Sequence, residues 1–291
     1  MQIVLQLCIS GVSLGMIYAV IAFGYQLTYV TSKTLNFGQG EALALGALVG
    51  LSLSSWIGYW AMLPMVLLFG LAQGALVERL GVRPALKTRS EFGWIMATIA
   101  IGIIGKNMAE TIWGKDDLKF PSPLPETPII FGDGLRVMPM EILVLVGALA
   151  MMLLIELLSR RTLVGKAVVA TADDREAASL MGINTGSMIT LSYGLSSAVA
   201  ALAGVLVAPL TLTGASMGVS LALKAFAVAI IGGLNSGMGV IVGGLLLGIA
   251  EQFTAFYLST GYKDVPGLLM LLAVLAIRPT GLFGKTVIKK V

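Results

Sequence analysis

Asp173-Asp174-Arg175-Glu176-Ala177-Ala178-Ser179-Leu180-Met181-Gly182 is a short polar segment that lies between two long apolar stretches of the chain. Residues 177–223 carry no charge, and neither do residues 1–32, 42–77 or 225–250. A helix needs about 20 apolar residues to cross the hydrocarbon core of a bilayer, so each of these runs is long enough to span it. The polar segment therefore predicts a connection between membrane-spanning helices.

The composition also indicates a membrane protein. Of the 291 residues, 57% are hydrophobic and only 12% are charged, whereas a soluble domain carries about 25% charged residues. We therefore predict an all-α fold, a polytopic transmembrane helix bundle of about 8–10 spans, with residues 1–291 in a single domain. The first charge is Lys33, so the amino terminus lacks the basic region of a secretory signal and is predicted to be a retained spanning helix.

The residue inventory argues against several kinds of site. The chain has no histidine and one cysteine, Cys8, which removes histidine-based acid–base chemistry, most transition-metal sites and any intrachain disulfide. We expect no catalytic residue, no bound cofactor and no metal in this chain. The net charge of +4 does not predict binding to nucleic acid, because the cations lie in loops beside apolar spans, where membrane topology explains them.

Hydrophobic runs place the helices and the loops between them. Residues 78–91 are predicted to form a charged loop, and residues 113–138, which contain four prolines, an ordered or semi-rigid loop. The predicted helical segments are 3–30, 42–77 (a helical hairpin), 92–112, 139–158, 187–207, 219–232, 239–257 and 264–279.

Basic residues orient these spans, since cytoplasmic loops carry an excess of lysine and arginine. Loops 78–91 and 159–176 each contain four such residues, and the tail contains Lys285, Lys289 and Lys290, so all three are predicted to be cytoplasmic. Loop 113–138 has three basic residues against four acids and is predicted to be external. If 219–232 crosses the membrane, the chain makes nine crossings with an external amino terminus.

The polar segment has the pattern of a short helix. Asp173 is predicted to cap its start, with Glu176 in the capping-box position, and Gly182 to supply the left-handed residue that ends it. The result is a helix of about two turns exposed in the cytosol. It is interpreted as a docking element for a soluble partner; the alternative is an ordinary connecting loop with a helical turn.

Motifs along nearly the whole chain resemble one family, the permease subunits of high-affinity branched-chain amino acid ABC importers of the LivH type. The residues that carry the resemblance are Gly15-Met16-Ile17-Tyr18-Ala19, Leu35-Asn36-Phe37-Gly38-Gln39-Gly40-Glu41, Glu176 to Asn184, Lys224-Ala225-Phe226, Gly232-Gly233-Leu234-Asn235-Ser236, Gly248-Ile249-Ala250-Glu251 and Arg278-Pro279-Thr280-Gly281-Leu282.

The resemblance implies a set of partners and a location. They are a second related permease, two cytoplasmic ATPases, a periplasmic substrate-binding protein and the lipid of a bacterial inner membrane. The implied solute is a branched-chain or other neutral amino acid, and urea or short amides remain an alternative. Within the coupling segment 172–184, the residues expected to contact the ATPases are Asp173, Asp174, Arg175, Glu176, Ala177, Ala178 and Gly182.

The chain itself is not expected to bind ATP. A phosphate-binding loop needs two glycines before its lysine, so that backbone amides wrap the phosphates. Gly284-Lys285-Thr286 has the second half of that motif, but Pro279 occupies the position of the first glycine. We therefore expect ATP to be bound by the partner subunits.

Polar residues in or beside the apolar spans are candidates for the translocation pathway, because an intramembrane charge is costly and usually faces protein or water. They are Asn36, Gln39, Glu41, Lys224 and Glu251. The alternative role is structural, with Lys224 and Glu251 paired to each other or to backbone carbonyls. The turn at 232–237 is a further candidate, although a tight helix–helix turn explains it more simply.

Glycines four residues apart predict close helix packing within the chain. They are Gly11 and Gly15, Gly46 and Gly50, Gly70 and Gly74, and the face formed by Gly239, Gly243, Gly244 and Gly248. Two other functions remain open. A stand-alone secondary transporter or channel would use Glu41 and Glu251 as its ion-coupling acids, and an intramembrane enzyme finds little support in the residues present.

Overall fold

The computed structural model describes residues 2–88, 92–131 and 135–284 of the chain. The predictions for Arg89, Asp133, Lys285, Thr286, Lys289 and Lys290 lie outside the described residues. The helices are α1 (Gln2–Ser32), α2 (Gln39–Ile57), α3 (Tyr59–Val77), α4 (Arg83–Lys87), α5 (Gly93–Trp113), α6 (Pro139–Arg161), α7 (Leu163–Asp173), α8 (Arg175–Leu180), α9 (Thr185–Val207), α10 (Met217–Gly232), α11 (Gly237–Tyr257) and α12 (Val265–Ile277).

The predicted all-α polytopic bundle is confirmed. Eight helical segments in the described residues are long and apolar enough to cross a membrane, and α10 is a shorter apolar helix of 16 residues, or about 24 Å. The predicted hairpin is formed by α2 and α3, which Gly58 joins at a left-handed φ of 77°. The helices begin and end close to the predicted spans, because the apolar runs set their length.

Two segments predicted as loops are helical instead. In the first, α3 continues through a π-helical turn, Glu78–Val82, directly into α4. In the second, residues 163–173 form α7, whose start is capped by the Thr162 hydroxyl accepting from the Gly165 amide at 2.9 Å. Charged residues mark the place where a helix leaves the hydrocarbon, and they do not require the helix to end there.

The described part of the proline-rich loop contains two short paired strands. Strands β1 (Ile129–Phe131) and β2 (Leu135–Val137) are antiparallel, with Ile129 opposite Val137. Nearby, Leu118 pairs with Thr213 through backbone hydrogen bonds of 2.8 and 2.9 Å. The sequence shows no period of two in this region, so it does not predict the strands.

Close glycine contacts hold the centre of the bundle together. A Cβ added to Gly15 would overlap the Gly244 carbonyl, and one added to Gly11 would lie 2.8 Å from the Cα of Ile249. Gly46 and Gly70 approach α9 in the same way, at Ala201 and Ala198. The prediction that these glycines pack helices within the chain is therefore confirmed. The helix α9 lies at the centre of the bundle and is mostly buried, whereas α12 is almost entirely at the surface.

The connections between helices gather at two ends of the bundle. At one end, Arg83 of α4 contacts the start of α9 at Gly186, and Leu282 and Phe283 donate backbone hydrogen bonds to Ile231 and Gly232. At the other end, the Ser10 hydroxyl near the start of α1 donates to the Glu141 carboxylate at the start of α6. The indole of Trp113 likewise donates to the Ser52 hydroxyl there.

This arrangement groups the basic segments in the way the charge pattern requires. The segments 83–87 and 160–176 lie at the end that also holds Leu282, the last part of the described chain. Residues 211–216 and α10 together lead from the proline-rich end to the basic end, because Thr213 pairs with Leu118 and Gly232 accepts from Phe283. This path agrees with nine crossings, and the sidedness in a membrane stays a prediction.

Candidate coupling helix and intramembrane charged sites

The short helix α8 is capped by Asp174, and the prediction that Asp173 caps it is wrong by one residue. The Asp174 carboxylate accepts from the amides of Glu176 and Ala177 at 2.9 and 3.0 Å, while Asp173 is the last residue of α7. Asp174 has the extended backbone of a capping residue (φ −150°, ψ 108°). Glu176 is then the second helical residue, and it is too early to complete a capping box.

Gly182 ends α8 as predicted. It has a left-handed φ of 84°, its amide donates to the Ser179 carbonyl at 3.0 Å, and the Ile183 amide donates to the Ala178 carbonyl at 3.1 Å. This pair of hydrogen bonds is the Schellman arrangement, which satisfies the last carbonyls of a helix. The helix contains six residues, which agrees with the predicted length of about two turns.

Apolar side chains on and beside α8 project into solvent next to charged side chains. Leu180 and Met181 are 89% and 83% exposed, while Ala178 is buried against the bundle. Asp173, Asp174, Arg175 and Glu176 are all exposed. Exposed large apolar side chains with a polar rim mark interaction surfaces on proteins.

An ion pair between a buried acid and a partly exposed arginine lies near this region, and the sequence does not predict it. Glu78 is 3% exposed, and its carboxylate receives the Arg83 guanidinium at 2.9 and 3.1 Å. The same guanidinium donates to Thr190 and to the Gly186 carbonyl of α9 at 2.7 and 3.2 Å. The signal available in the sequence is an acid at the start of a basic segment, which membrane topology alone explains equally well.

Asn36 and Gln39 are fully buried and bonded within the chain. The Asn36 side chain accepts from the Gly38 amide at 3.1 Å, and the Gln39 amide donates to the Ser196 carbonyl at 3.1 Å. The Ser196 hydroxyl lies 3.0 Å from the Gln39 carbonyl oxygen and 2.8 Å from the Gly24 carbonyl. These side chains tie α1, α2 and α9 together, and their role in a pathway stays a prediction.

Lys224 and Glu251 form an ion pair, as the structural alternative predicted, and a role for them in a pathway stays a prediction. The Lys224 ammonium lies 3.0 and 3.1 Å from the two Glu251 oxygens, and the second contact has hydrogen-bond geometry. The Tyr18 hydroxyl donates to Glu251 at 2.8 Å, and Lys224 also reaches Asp264 at 2.6 Å. Lys224, Glu251 and Asp264 line a cavity of about 250 Å³ between α10, α11 and α12.

Glu41 lies in the first turn of α2 and is half-buried. Its carboxylate lies against Gly102 of α5, where an added Cβ would be 3.1 Å from Oε2. Glu41 also lines a second cavity, of about 150 Å³, between α1, α2 and α10. The five predicted pathway residues thus have three kinds of surroundings. Asn36 and Gln39 are buried amides that bond to other groups of the chain, Lys224 and Glu251 form an ion pair, and the Glu41 carboxylate lies apart from both.

Comparison with known proteins identifies the family. The family described as "Branched-chain amino acid transport system / permease component" matches residues 7–275. The chain belongs to this family. It is 32% identical to the high-affinity branched-chain amino acid transport system permease protein LivH of Salmonella typhimurium, over 99% of this chain and 97% of the relative.

Further relatives support this membership in the permease family. The chain is 31% identical to BraD of Pseudomonas aeruginosa, another high-affinity branched-chain amino acid transport system permease protein, over 99% of this chain and 98% of that one. A solved structure, PsaBC from Streptococcus pneumoniae in complex with Fab, matches with a TM-score of 0.50 and 17% identity. The match covers 93% of this chain and 91% of that one. This likeness shows a shared fold.

Two sequence motifs that resemble the permease family meet in the structure. Gly281, at a left-handed φ of 86°, lies against Gly233, at a φ of 99°, where an added Cβ would be 2.6 Å from the Gly233 backbone. Leu282 and Phe283 then bond to the end of α10. The turn at 232–237 is a helix–helix turn that receives the end of the described chain, as the simpler interpretation predicted.

Proposed function

We propose that this chain is a membrane permease subunit of an ATP-driven importer for branched-chain or other neutral amino acids. It works with a second related permease, two cytoplasmic ATPases and a periplasmic substrate-binding protein, in a bacterial inner membrane. The ATPases bind ATP, and this chain supplies the path. The observation that carries the proposal is the family match over residues 7–275, together with a projecting helix at the basic end of the bundle.

The coupling role is assigned to α8 because of its surface and its anchoring. Leu180 and Met181 offer an apolar tip to a soluble partner, and the capped ends keep the helix folded although it is short. Its chain continues through Asn184, whose side chain caps α9 at the Ser187 amide. A movement imposed on α8 therefore reaches the central helix α9 through only a few residues.

The loop at 113–138 is assigned to the substrate-binding protein. It lies at the end opposite α8 and carries exposed charges, including a Lys119–Glu126 ion pair of 3.1 Å. Its two paired strands and its backbone pairing with Thr213 support the described part of the loop. Because this loop contacts the segment that leads into α10, docking of the binding protein on the loop can affect the translocation pathway.

The test uses charge changes on α8 in the complete importer. Glu176→Lys and Met181→Lys are expected to reduce ATP-driven uptake of radiolabelled leucine at least about tenfold, which is the effect of losing roughly 1.4 kcal/mol at an interface. Glu156→Lys is the matched control, because Glu156 is an exposed acid near the end of α6 that leads towards α7 and α8. Immunoblots of membranes report whether each variant is inserted.

The outcomes separate the alternatives. Loss of uptake with the ATPases no longer co-purifying supports docking through α8, provided that the control variant retains both. Normal uptake in both α8 variants would rule out the coupling role. Wild-type uptake that survives ATP depletion and follows an ion gradient would overturn the importer and favour a secondary transporter.

A further inference from the structure

Glu41 carries a carboxylate that forms no ion pair with any residue that the structure describes. In the described residues, no side chain of another residue donates a hydrogen bond to it or pairs with it. Lys106 on α5 attracts the Glu41 carboxylate from a distance. The ammonium of Lys106 pairs with Glu110 instead, at 3.9 Å. An intramembrane carboxylate is costly, so one without a bonded partner among the described residues indicates a functional group.

The cavity beside Glu41 has the walls of a site for a small organic cation. Three aromatic rings line it, and the Phe226 ring centroid lies 5.8 Å from that of Tyr25 and 5.6 Å from that of Phe37. The faces of aromatic rings attract ammonium groups, and more strongly where water is excluded. A carboxylate beside such rings favours a primary ammonium over an anion or a neutral head group.

Apart from Gly40 of α2, the rest of the cavity wall is aliphatic and comes from α10. Val219, Ala222 and Leu223 lie on this side, and Leu223 also lines the neighbouring Lys224 cavity. The volume of the Glu41 cavity, about 150 Å³, accommodates a small head group rather than a large solute. An ammonium bound at Glu41 thus leaves an attached hydrocarbon chain in contact with apolar side chains.

Two helices begin next to this cavity. Gly40 in the first turn of α2 packs against Gly218 in the first turn of α10, where an added Cβ on Gly40 would lie 2.6 Å from the Gly218 carbonyl. Membrane transporters build solute sites where helices are interrupted, because irregular backbone there is buried in protein or lines a cavity. The paired starts of α2 and α10 are such an interruption.

We propose that the Glu41 cavity binds the α-ammonium group of the transported amino acid as it passes through the permease, with its aliphatic side chain against Leu223 and Val219. This inference rests on the proposed function for the class of solute. The Lys224–Glu251–Asp264 cluster is not the primary ammonium site, because its carboxylates already share the Lys224 ammonium.

The first experiment measures the cation preference of the cavity without relying on transport. Leu223→Cys is introduced with Cys8→Ser into the complete importer, and its labelling rates during ATP turnover are compared for a cationic and an anionic methanethiosulfonate. Adding Glu41→Gln is expected to lower the cationic-to-anionic rate ratio about tenfold, because the attraction of a nearby carboxylate in a low-dielectric site is lost. Glu156→Gln is the matched control and leaves the ratio unchanged.

The second experiment measures leucine uptake. Glu41→Gln is expected to raise the KM for uptake at least about tenfold, as expected for a lost charged contact, while ATPase stimulation by the loaded binding protein persists. Glu41→Asp, which keeps the charge, is expected to recover part of the loss. A merely structural role would instead lower ATPase stimulation and complex yield together.

Several results overturn the proposal. They are an unchanged rate ratio in the Glu41→Gln variant, no labelling of Leu223→Cys during turnover, or wild-type uptake kinetics in Glu41→Gln. If the wild-type importer takes up no amino acid, the proposed function fails. A rate ratio that still depends on Glu41 would then retain the cation site and assign it to another ammonium-bearing solute.

Discussion

Glu251 and Glu41 each place a carboxylate within the apolar bundle of this permease, and the two sites differ in how the charge is compensated. Glu251 is fully buried and has both the Tyr18 hydroxyl and the Lys224 ammonium within 3.1 Å. Glu41 is half-buried, and no side chain of another described residue bonds to it. The same type of residue therefore serves as a tie between helices at one site and stays available at the other.

The difference teaches how to separate structure from function among intramembrane charges. A charge that is satisfied inside its own chain stabilises a particular packing, here between α1, α10 and α11. An intramembrane charge without a bonded partner destabilises the fold. It is therefore expected to persist only where it serves a function. Stability measurements on variants at both sites test this distinction, and the expected effects fall in the order given below.

The largest effect is expected from Lys224→Met. It leaves the fully buried Glu251 without its cation, and breaking one side of a buried pair costs about 3–5 kcal/mol. Unfolding in a titration with sodium dodecyl sulfate, followed by circular dichroism, measures the loss. A change below about 1 kcal/mol would show that Glu251 does not depend on Lys224.

The double variant Lys224→Met/Glu251→Leu sharpens that result. Replacing a buried pair by apolar residues of similar size is often nearly neutral, because the cost of burying the charges disappears with the pair. We expect most of the lost stability to return in the same titration. A double variant as unstable as Lys224→Met would instead place the cost in the packing around the substituted side chain at position 224 and not in the charge.

A smaller effect is expected from Asp264→Asn. The Asp264 side chain is 73% exposed, so its 2.6 Å contact with Lys224 is screened by solvent, and Lys224 keeps Glu251 as its partner. Exposed ion pairs contribute about 0–1 kcal/mol. The same unfolding titration at low and high salt checks this value, and a loss as large as that of Lys224→Met would make Asp264 an equal member of the cluster.

The smallest effect on stability is expected from Glu41→Gln, and it is expected to be neutral or stabilising. The substitution removes a half-buried charge to which no side chain of another described residue bonds, and it keeps the shape of the side chain. Thermal unfolding of the purified importer compares Tm values with those of wild type. A clear fall in Tm would show that Glu41 stabilises the bundle, and the contrast between the two sites would then be lost.

The sequence was sufficient for most of the fold and for part of the sites. Uncharged runs placed the spanning helices, and the glycine spacing predicted contacts such as Gly15 with Gly244. Gly182 was recognised as the end of α8 because a left-handed residue there has a strong chemical preference. The cap was misplaced by one residue, because adjacent aspartates have the same propensity and only the end of α7 selects Asp174.

Other features depended on contacts between distant residues. The Arg83–Glu78–Thr190 network joins residues 107 apart in the chain, and nothing local distinguishes Glu78 from a solvated acid. The sequence predicts loops at α4 and α7, because charged residues end the apolar runs there. Packing against neighbouring helices compensates for their modest length and low hydrophobicity.

The sequence by itself determined that this chain is a bundle of membrane helices. It also determined which connecting segments are basic and where a short capped helix lies. These properties follow from hydropathy, charge and local backbone chemistry, which act over a few residues. Only the tertiary structure decided that Glu251 is paired, that Gln39 is a buried tie, and that Glu41 faces a cavity. Those outcomes depend on which helices become neighbours, and an intramembrane charge acquires its role only from the groups that surround it.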